Sequence, residues 1–226
     1  MTQQHANPAL LPLVVLISGE GTNLQAILDQ CTQGTLPASV RAVISSRADA
    51  PGLRRAIAAN IPVHVILPAG NTNRDEYDTA LATVIERYAP ELVLLAGFMR
   101  ILSNGFVQHH RGRLLNIHPA LLPKYIGVHT HHRILEAGDK EHGCSVHFVT
   151  EELDSGPVIA QAKVAVQPDD SEKSLSARVK EREHALYPLV VRWFAENRVR
   201  LDANRVLFDG QPCAAPRVFE INEEIA

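Results

Sequence analysis

The first half of the chain alternates short apolar runs with helix-periodic stretches. Leu13–Ile17 is a continuous apolar run, and after it Leu24, Ile27, Leu28 and Cys31 fall at i, i+3, i+4 and i+7, one face of a helix. Val40–Ile44 predicts a second strand, Leu53–Ala59 a second helix and Val63–Leu67 a third strand. Tyr77, Leu81, Ile85 and Tyr88 make a third helical stripe that Pro90 closes. Leu92–Leu95 and Leu114–Ile117 are two further strand-like runs. Apolar strands separated by helices imply βαβ crossovers and a parallel sheet covered on both faces.

The second half changes period. Cys144–Val149 predicts another strand. Val158, Ala160, Ala162, Val164 and Val166 alternate with Gln161 and Lys163, which predicts a half-exposed strand. Such a strand at a sheet edge would support a homodimer or be covered within the chain, so monomer and homodimer both remain open. Ser171–Asn197 is a long helix pattern with Leu175, Val179, Leu186, Leu189, Val190 and Trp193 on its apolar side, and Pro188 is expected to end or kink it. Asp209-Gly210 after Arg205–Phe208 signals a hairpin. No repeat or low-complexity run interrupts the pattern. The expected fold is α/β: a doubly wound, mostly parallel, Rossmann-like sheet in the N-terminal half, continued by additional strands and a long helix in the C-terminal half.

Composition removes several classes. The chain has 226 residues, 46% of them hydrophobic, with a formal net charge of −3. A pI of about 6.4 is far from the basic balance of a nucleic-acid-binding domain. The three cysteines, Cys31, Cys144 and Cys213, make neither a disulfide framework nor a CxxC zinc pair, which suits a reducing compartment. No run reaches the ~18 apolar residues of a membrane span. Ala9–Ile17 imitates a signal-peptide core, but the first basic residue of the chain is Arg41, so the charged n-region is missing. A cytoplasmic protein without membrane or nucleic-acid partners is expected.

The loop Ser18-Gly19-Glu20-Gly21-Thr22-Asn23 joins the first strand to the first helix. Ligands of open α/β sheets bind at the carboxyl ends of the strands, and a helix N-terminus there attracts anions. A dinucleotide loop needs a third glycine where Leu24 stands, and the second strand ends in Ser45-Ser46 rather than in a ribose-holding acid. A nucleotide P-loop needs a lysine, and the first lysine is Lys124. The loop suits one small phosphate held by backbone N–H groups and the Thr22 hydroxyl. A plain tight strand–helix turn has the same composition.

Leu114-Leu115-Asn116-Ile117-His118-Pro119 carries the most chemistry. A strand's period of two puts Asn116 and His118 on one side, and Pro119 ends the ladder. Asn donates to an oxyanion without titrating, and His exchanges protons near neutral pH. These are parts for stabilising a tetrahedral intermediate. Asp154, in a Ser-Gly-Pro turn between two strands, is a candidate partner that would raise the His118 pKa; it is equally a residue that initiates a turn, and His118 equally a hydrogen-bonded structural histidine. The remaining histidines, among them His109, His110, His129, His131, His132, His142, His147 and His184, show no HExxH and no carboxylate at metal spacing; His129 and His131 could ligate together from an extended segment, but hydrogen-bonded or solvated imidazoles are the plainer reading and no metal is expected. No GxSxG elbow is present, and Cys144 has no activating neighbour, so it reads as a core cysteine.

Three segments together, Val14 to Gln25, Leu95 to Leu102 and Asn116 to Pro123, resemble the phosphoribosylglycinamide formyltransferase family of folate-dependent enzymes. The likeness runs from about Leu13 to Pro188. It implies one formyltransferase domain over residues 13–226, with a phosphate-binding half at about 13–110 and a catalytic, folate-binding half at about 111–226, preceded by a flexible leader over residues 1–12. It implies formyl transfer from 10-formyltetrahydrofolate, as cosubstrate, to the amine of glycinamide ribonucleotide in de novo purine biosynthesis. Gly21, Thr22 and Asn23 match the family's ribonucleotide phosphate loop, and Lys180, Glu181, Arg182 and Glu183 its second ribonucleotide contact. Arg74, Met99, Arg100, Ile101, Leu102, Asn116, Thr150, Glu151, Glu152, Leu153 and Asp154 match its folate contacts, with backbone groups reading the pterin edge and Arg74 facing the glutamate tail. Asn116, His118 and Asp154 match the catalytic triad: Asn116 and protonated His118 on the oxyanion, and Asp154 charging His118 and relaying a proton through water. Two departures stand out. Thr22 replaces a common Ser and keeps the hydroxyl, and Ile126 replaces a common Pro, leaving that loop less fixed in φ.

Formyltetrahydrofolate hydrolase shares the fold but usually carries a regulatory domain ahead of the residues matching Leu13. Methionyl-tRNA formyltransferase needs a further domain and basic surface. A non-catalytic phosphate-binding module is the alternative from another class.

Overall fold

The computed structural model describes residues 10–68 and 73–225. In chain order its first elements are β1 (Leu11–Ile17), α1 (Thr22–Gln33), β2 (Ala38–Ser45), α2 (Gly52–Ala58), β3 (Val63–Val65), α3 (Arg74–Glu86), β4 (Leu92–Leu95), α4 (Asn104–His109) and β5 (Leu114–His118). They are followed by α5 (Thr130–Ala137), β6 (Glu141–Phe148), β7 (Val158–Ala165), α6 (Glu172–Ala195), β8 (Val199–Asp202), β9 (Arg205–Phe208), β10 (Gln211–Pro212) and β11 (Arg217–Phe219). The first strand starts at Leu11, two residues before the expected Leu13, so Leu11 and Pro12 belong to the sheet rather than to a leader. Residues 1–9 of that expected leader lie outside the described residues.

One eight-stranded sheet runs through both halves in the order β11-β7-β6-β5-β4-β1-β2-β3. Strands β1 to β5 are mutually parallel, and β6 is antiparallel to both β5 and β7. Alternation along β1 shows why continuous apolar runs were needed. Leu13, Val15 and Ile17 enter one core, shared with α1 and α6, and Val14 and Leu16 enter the other, under α3 and α4. Strand order reverses between β1 and β4, where an open α/β sheet leaves a crevice for ligands.

Two expectations change here, and one left open is settled. Strand β7 is buried along most of its length, Gln161 included, because α6 covers one face and Gln161 bonds the Leu122 carbonyl and Ser145 on the other. Its free edge is covered within the chain by β11, paired parallel from Arg217↔Ala160 to Phe219↔Ala162. Helix α6 runs on through Pro188, which is buried among Leu186, Leu189 and Val190. Packing over 24 residues outweighs the single amide that proline removes. The Asp209-Gly210 hairpin forms as expected, with Phe208 opposite Gln211 and both turn residues at positive φ.

Tyr187, fully buried in α6, points its hydroxyl at the carbonyls of Leu95 and Leu115, 3.1 Å from each, which ties the helix to neighbouring strands β4 and β5. Removing this buried donor in Tyr187→Phe is expected to cost about 1–2 kcal/mol and to lower Tm by about 2–6 °C in a thermal melt.

Candidate active site

The loop after β1 is held to the loop after β4. Ser18 N donates to the Gly97 carbonyl (3.0 Å), and Ser18 Oγ accepts from Met99 N (2.8 Å) while lying 2.7 Å from Ser46 Oγ. Gly21 caps α1 with φ 69°, and a Cβ there would lie 2.7 Å from Gly52 Cα, so α2 abuts the loop through a contact only glycine permits. The first amides of α1 have no intrahelical acceptor and face a cavity of ≈ 270 Å³. Gly19, Gly21, Thr22, Asn23, Gly97, His131, Lys180 and Glu183 line it. Across the cavity wall, Asn23 Nδ2 donates to Glu183 Oε2 at 2.8 Å, leaving Asn23 Oδ1 buried without a partner. Burial pushes the Glu183 carboxyl up.

Of the four α6 residues expected at this ligand, only Lys180 and Glu183 reach the cavity. Residues three apart share a helix face, and the two between them turn away. Glu181 and Arg182 instead line a groove on the far side, where Arg182 donates to the carbonyls of Glu223 (2.6 Å) and Glu220 (3.0 Å) and holds the last described residues.

Asn116 and His118 project from the same side of β5 at its carboxyl end. Asp154 reaches them from the loop between β6 and β7, with left-handed backbone (φ 50°). Its Oδ2 lies 3.4 Å from His118 Nδ1 and accepts from Gly127 N at 2.9 Å. His118 Nε2 donates to the Tyr125 carbonyl at 2.9 Å. Both ring nitrogens therefore face acceptors, an arrangement that a doubly protonated imidazolium satisfies. The three residues singled out from the strand and turn patterns are thus brought together, with His118 buried.

A second cavity of ≈ 100 Å³ opens on the other side of the β5 end. Arg100, Ile101, Leu102, Asn116 and the whole run from Thr150 to Asp154 line it, over an apolar floor of Leu95, Phe98 and Val107. Met99 lines the first cavity instead. Arg74 starts α3 on an exposed turn and lines neither.

Several residues around the site escaped the sequence reading. His147 lies directly across the β5–β6 ladder from Asn116, and its Nε2 is 3.1 Å from Asn116 Nδ2. Ser145 and Gln161 bond the backbone of Ala120 and Leu122 and fix the chain beyond His118. His131 Nδ1 lies 2.9 Å from His142 Nε2. The only local signal for His147 and Ser145 is two polar residues at strand period inside an apolar run; their partners depend on register. Cys144 is fully buried, as expected of a core cysteine, and burial pushes its thiol up. Among the described residues no His, Cys, Asp and Glu cluster could hold a metal ion, and no helix is long and apolar enough to cross a membrane.

Burial holds the imidazoles of His142 and His147 down at about 4. The unfolded chain protonates such histidines from about pH 6.5 downward, while the folded state does so only near pH 4. Protons therefore favour the unfolded chain across that window. Tm is expected to fall as pH is lowered from 6.5 to 4, and a His142→Gln variant is expected to show a shallower fall.

The family model described as formyl transferase matches residues 11–191, most of the chain. The chain belongs to the formyl transferase family. Among curated relatives of this formyltransferase, the phosphoribosylglycinamide formyltransferase of Escherichia coli is 57% identical over 88% of this chain and 94% of its own length. The enzyme of the same name from Haemophilus influenzae is 48% identical over 93% and 99%. A solved phosphoribosylglycinamide formyltransferase from Coxiella burnetii superposes with a TM-score of 0.89 at 50% identity, covering 93% of this chain and 99% of that one. The mostly parallel sheet and the long helix after it are thus the architecture of this family, and the chain is a formyltransferase enzyme.

Proposed function

We propose that the protein transfers the formyl group of 10-formyltetrahydrofolate to the amine of glycinamide ribonucleotide, a step of de novo purine biosynthesis. One observation carries this reading: two different cavities open on the same strand end. The anion-suited cavity touches Ile117 and Pro119, the one floored by Leu95, Phe98 and Val107 touches Asn116 and Asp154, and the reacting groups of two ligands would meet between them. Amides of Gly21, Thr22 and Asn23 and the Thr22 hydroxyl hold the phosphate, with Lys180 at the rim. Glu183 and the unpartnered Asn23 Oδ1 face the ribose or glycinamide. Arg100 to Leu102 and Thr150 to Asp154 hold the folate, with Met99 at the border between the cavities and Arg74 toward the glutamate tail.

In the reaction the amine nitrogen forms a bond to the formyl carbon, and the carbonyl electron pair moves to oxygen. Asn116 Nδ2–H and an N–H of His118 donate to that oxyanion. For Nε2 to serve, the Tyr125 carbonyl must release it. Asp154 keeps the imidazolium paired and relays the proton of the attacking amine, through water, toward the departing folate nitrogen. The carbon–nitrogen bond to folate then breaks.

The test is an assay of the purified protein with both substrates. Folate release strictly dependent on glycinamide ribonucleotide supports the proposal. Folate release without it would show a hydrolase, and ligand binding without turnover would show a binding module; either defeats the proposal.

A further inference from the structure

Asn116 and His147 are cross-strand partners on the β5–β6 ladder, and their side chains meet. His147 Nδ1 lies 2.9 Å from the Phe148 carbonyl, an acceptor only, so Nδ1 carries a proton. We propose that His147 is a positioning residue of the formyl-transfer site: its unprotonated Nε2 accepts from Asn116 and locks the Asn116 carboxamide with Nδ2, not Oδ1, turned toward β6.

This rests on the function proposed above for Asn116. A carboxamide has two nearly isosteric orientations, and only the one with Nδ2 in place offers a second N–H to an oxyanion. The neighbours of His147 allow no other choice. Its ring is buried and holds its basicity down at about 4, so it is neutral and carries one proton, which Phe148 takes. Asp154 Oδ1 lies 3.8 Å from the same Nε2. A flipped Asn116 would place a carbonyl oxygen against a ring lone pair and beside a carboxylate, three acceptors with no proton between them. The histidine is itself unable to flip, because its Nδ1–H is fixed to the backbone of the next residue. Asn116 is thereby oriented by a side chain that is itself almost wholly buried at the edge of the second cavity.

Two measurements test this. In ¹⁵N-labelled wild-type protein at pH 7.5, imidazole ¹⁵N–¹H correlations are expected to show His147 neutral with the proton on Nδ1; a proton on Nε2, or a charged ring, overturns the proposal. In steady-state kinetics, His147→Phe is expected to lower kcat by about 10- to 100-fold with little change in KM for either substrate, because the defect is one of orientation. His147→Gln, which offers an acceptor but flips freely, is expected to recover part of that loss. Adding His147→Phe to Asn116→Ala is expected to change kcat by no more than about twofold, since both changes remove the same donor. Full additivity of the two, or wild-type kcat in His147→Phe, overturns the proposal. Should His147→Phe not fold, the ¹⁵N measurement on the wild type decides alone. Absence of formyl transfer in the wild type would defeat the proposed function and leave the tautomer test standing.

Discussion

His118→Ala is expected to lower kcat by about 10²- to 10³-fold, a loss of about 2.7–4 kcal/mol of transition-state stabilisation, while binding of 10-formyltetrahydrofolate stays near wild type. The side chain is buried between the Asp154 carboxylate and the Tyr125 carbonyl, and among the residues lining either cavity it is not one of them. Its removal therefore takes away a donor to the oxyanion and leaves both ligand surfaces in place. Stopped-flow turnover with equilibrium folate binding on the same sample separates the two effects. A variant that turns over within a few-fold of wild type would remove His118 from the chemistry.

Asp154→Asn is expected to be of similar size, about 10²- to 10³-fold in kcat, with an added effect on the loop opposite. The carboxylate serves two partners through one oxygen, His118 Nδ1 and Gly127 N. An Asn whose carbonyl oxygen takes the Oδ2 place keeps both contacts through a weaker, neutral acceptor, whereas the flipped amide sets its nitrogen against both N–H donors. Charge beside the imidazole is lost in both cases. Limited proteolysis is expected to cut the segment Lys124–His129 faster in the variant than in the wild type. Slow turnover with an unchanged cleavage rate would confine Asp154 to His118, and normal turnover would exclude it from the reaction.

Much of this site was legible because it is built on elements with a strong local period. Apolar runs such as Leu92–Leu95, too short for a helix and bounded by Pro90 and Gly97, read as strands buried on both faces, and a polar pair at period two in Leu114–His118 marks one side of such a strand. The Asp-Gly hairpin was legible because its two turn residues require positive φ. Elements set by tertiary contacts left no such trace. Helix α4 has six residues, shorter than a periodicity window, and α5 starts from His129 in left-handed conformation with only Ile134 fully buried among its large residues. Strand β11 has three residues and pairs with β7, 57 positions earlier at Val218↔Gln161. The close approach of Gly21 to Gly52 and the pairing of Asn116 with His147 depend on how separate segments meet. Matching a contiguous stretch such as Lys180 to Glu183 to a ligand overlooked the 100° turn per residue that sends Glu181 and Arg182 elsewhere.

The three candidate catalytic residues do not share one mechanical foundation. Asn116 stands on a strand bonded on both sides, to Leu95 on β4 and His147 on β6. Asp154 stands on a loop tied to its surroundings by side-chain bonds, Asp154 to Gly127 and His118, and Glu151 to Gln108. Opening the β5 ladder requires the whole sheet to come apart, whereas the loop can detach in a local, low-energy fluctuation. Amide hydrogens of Leu115 to Ile117 should then exchange only through global unfolding, and those from Glu151 to Ser155 through sub-global opening. In rising urea the enzyme should lose activity before it loses its fold, because the carboxylate leaves the histidine while the strand beneath it is still intact.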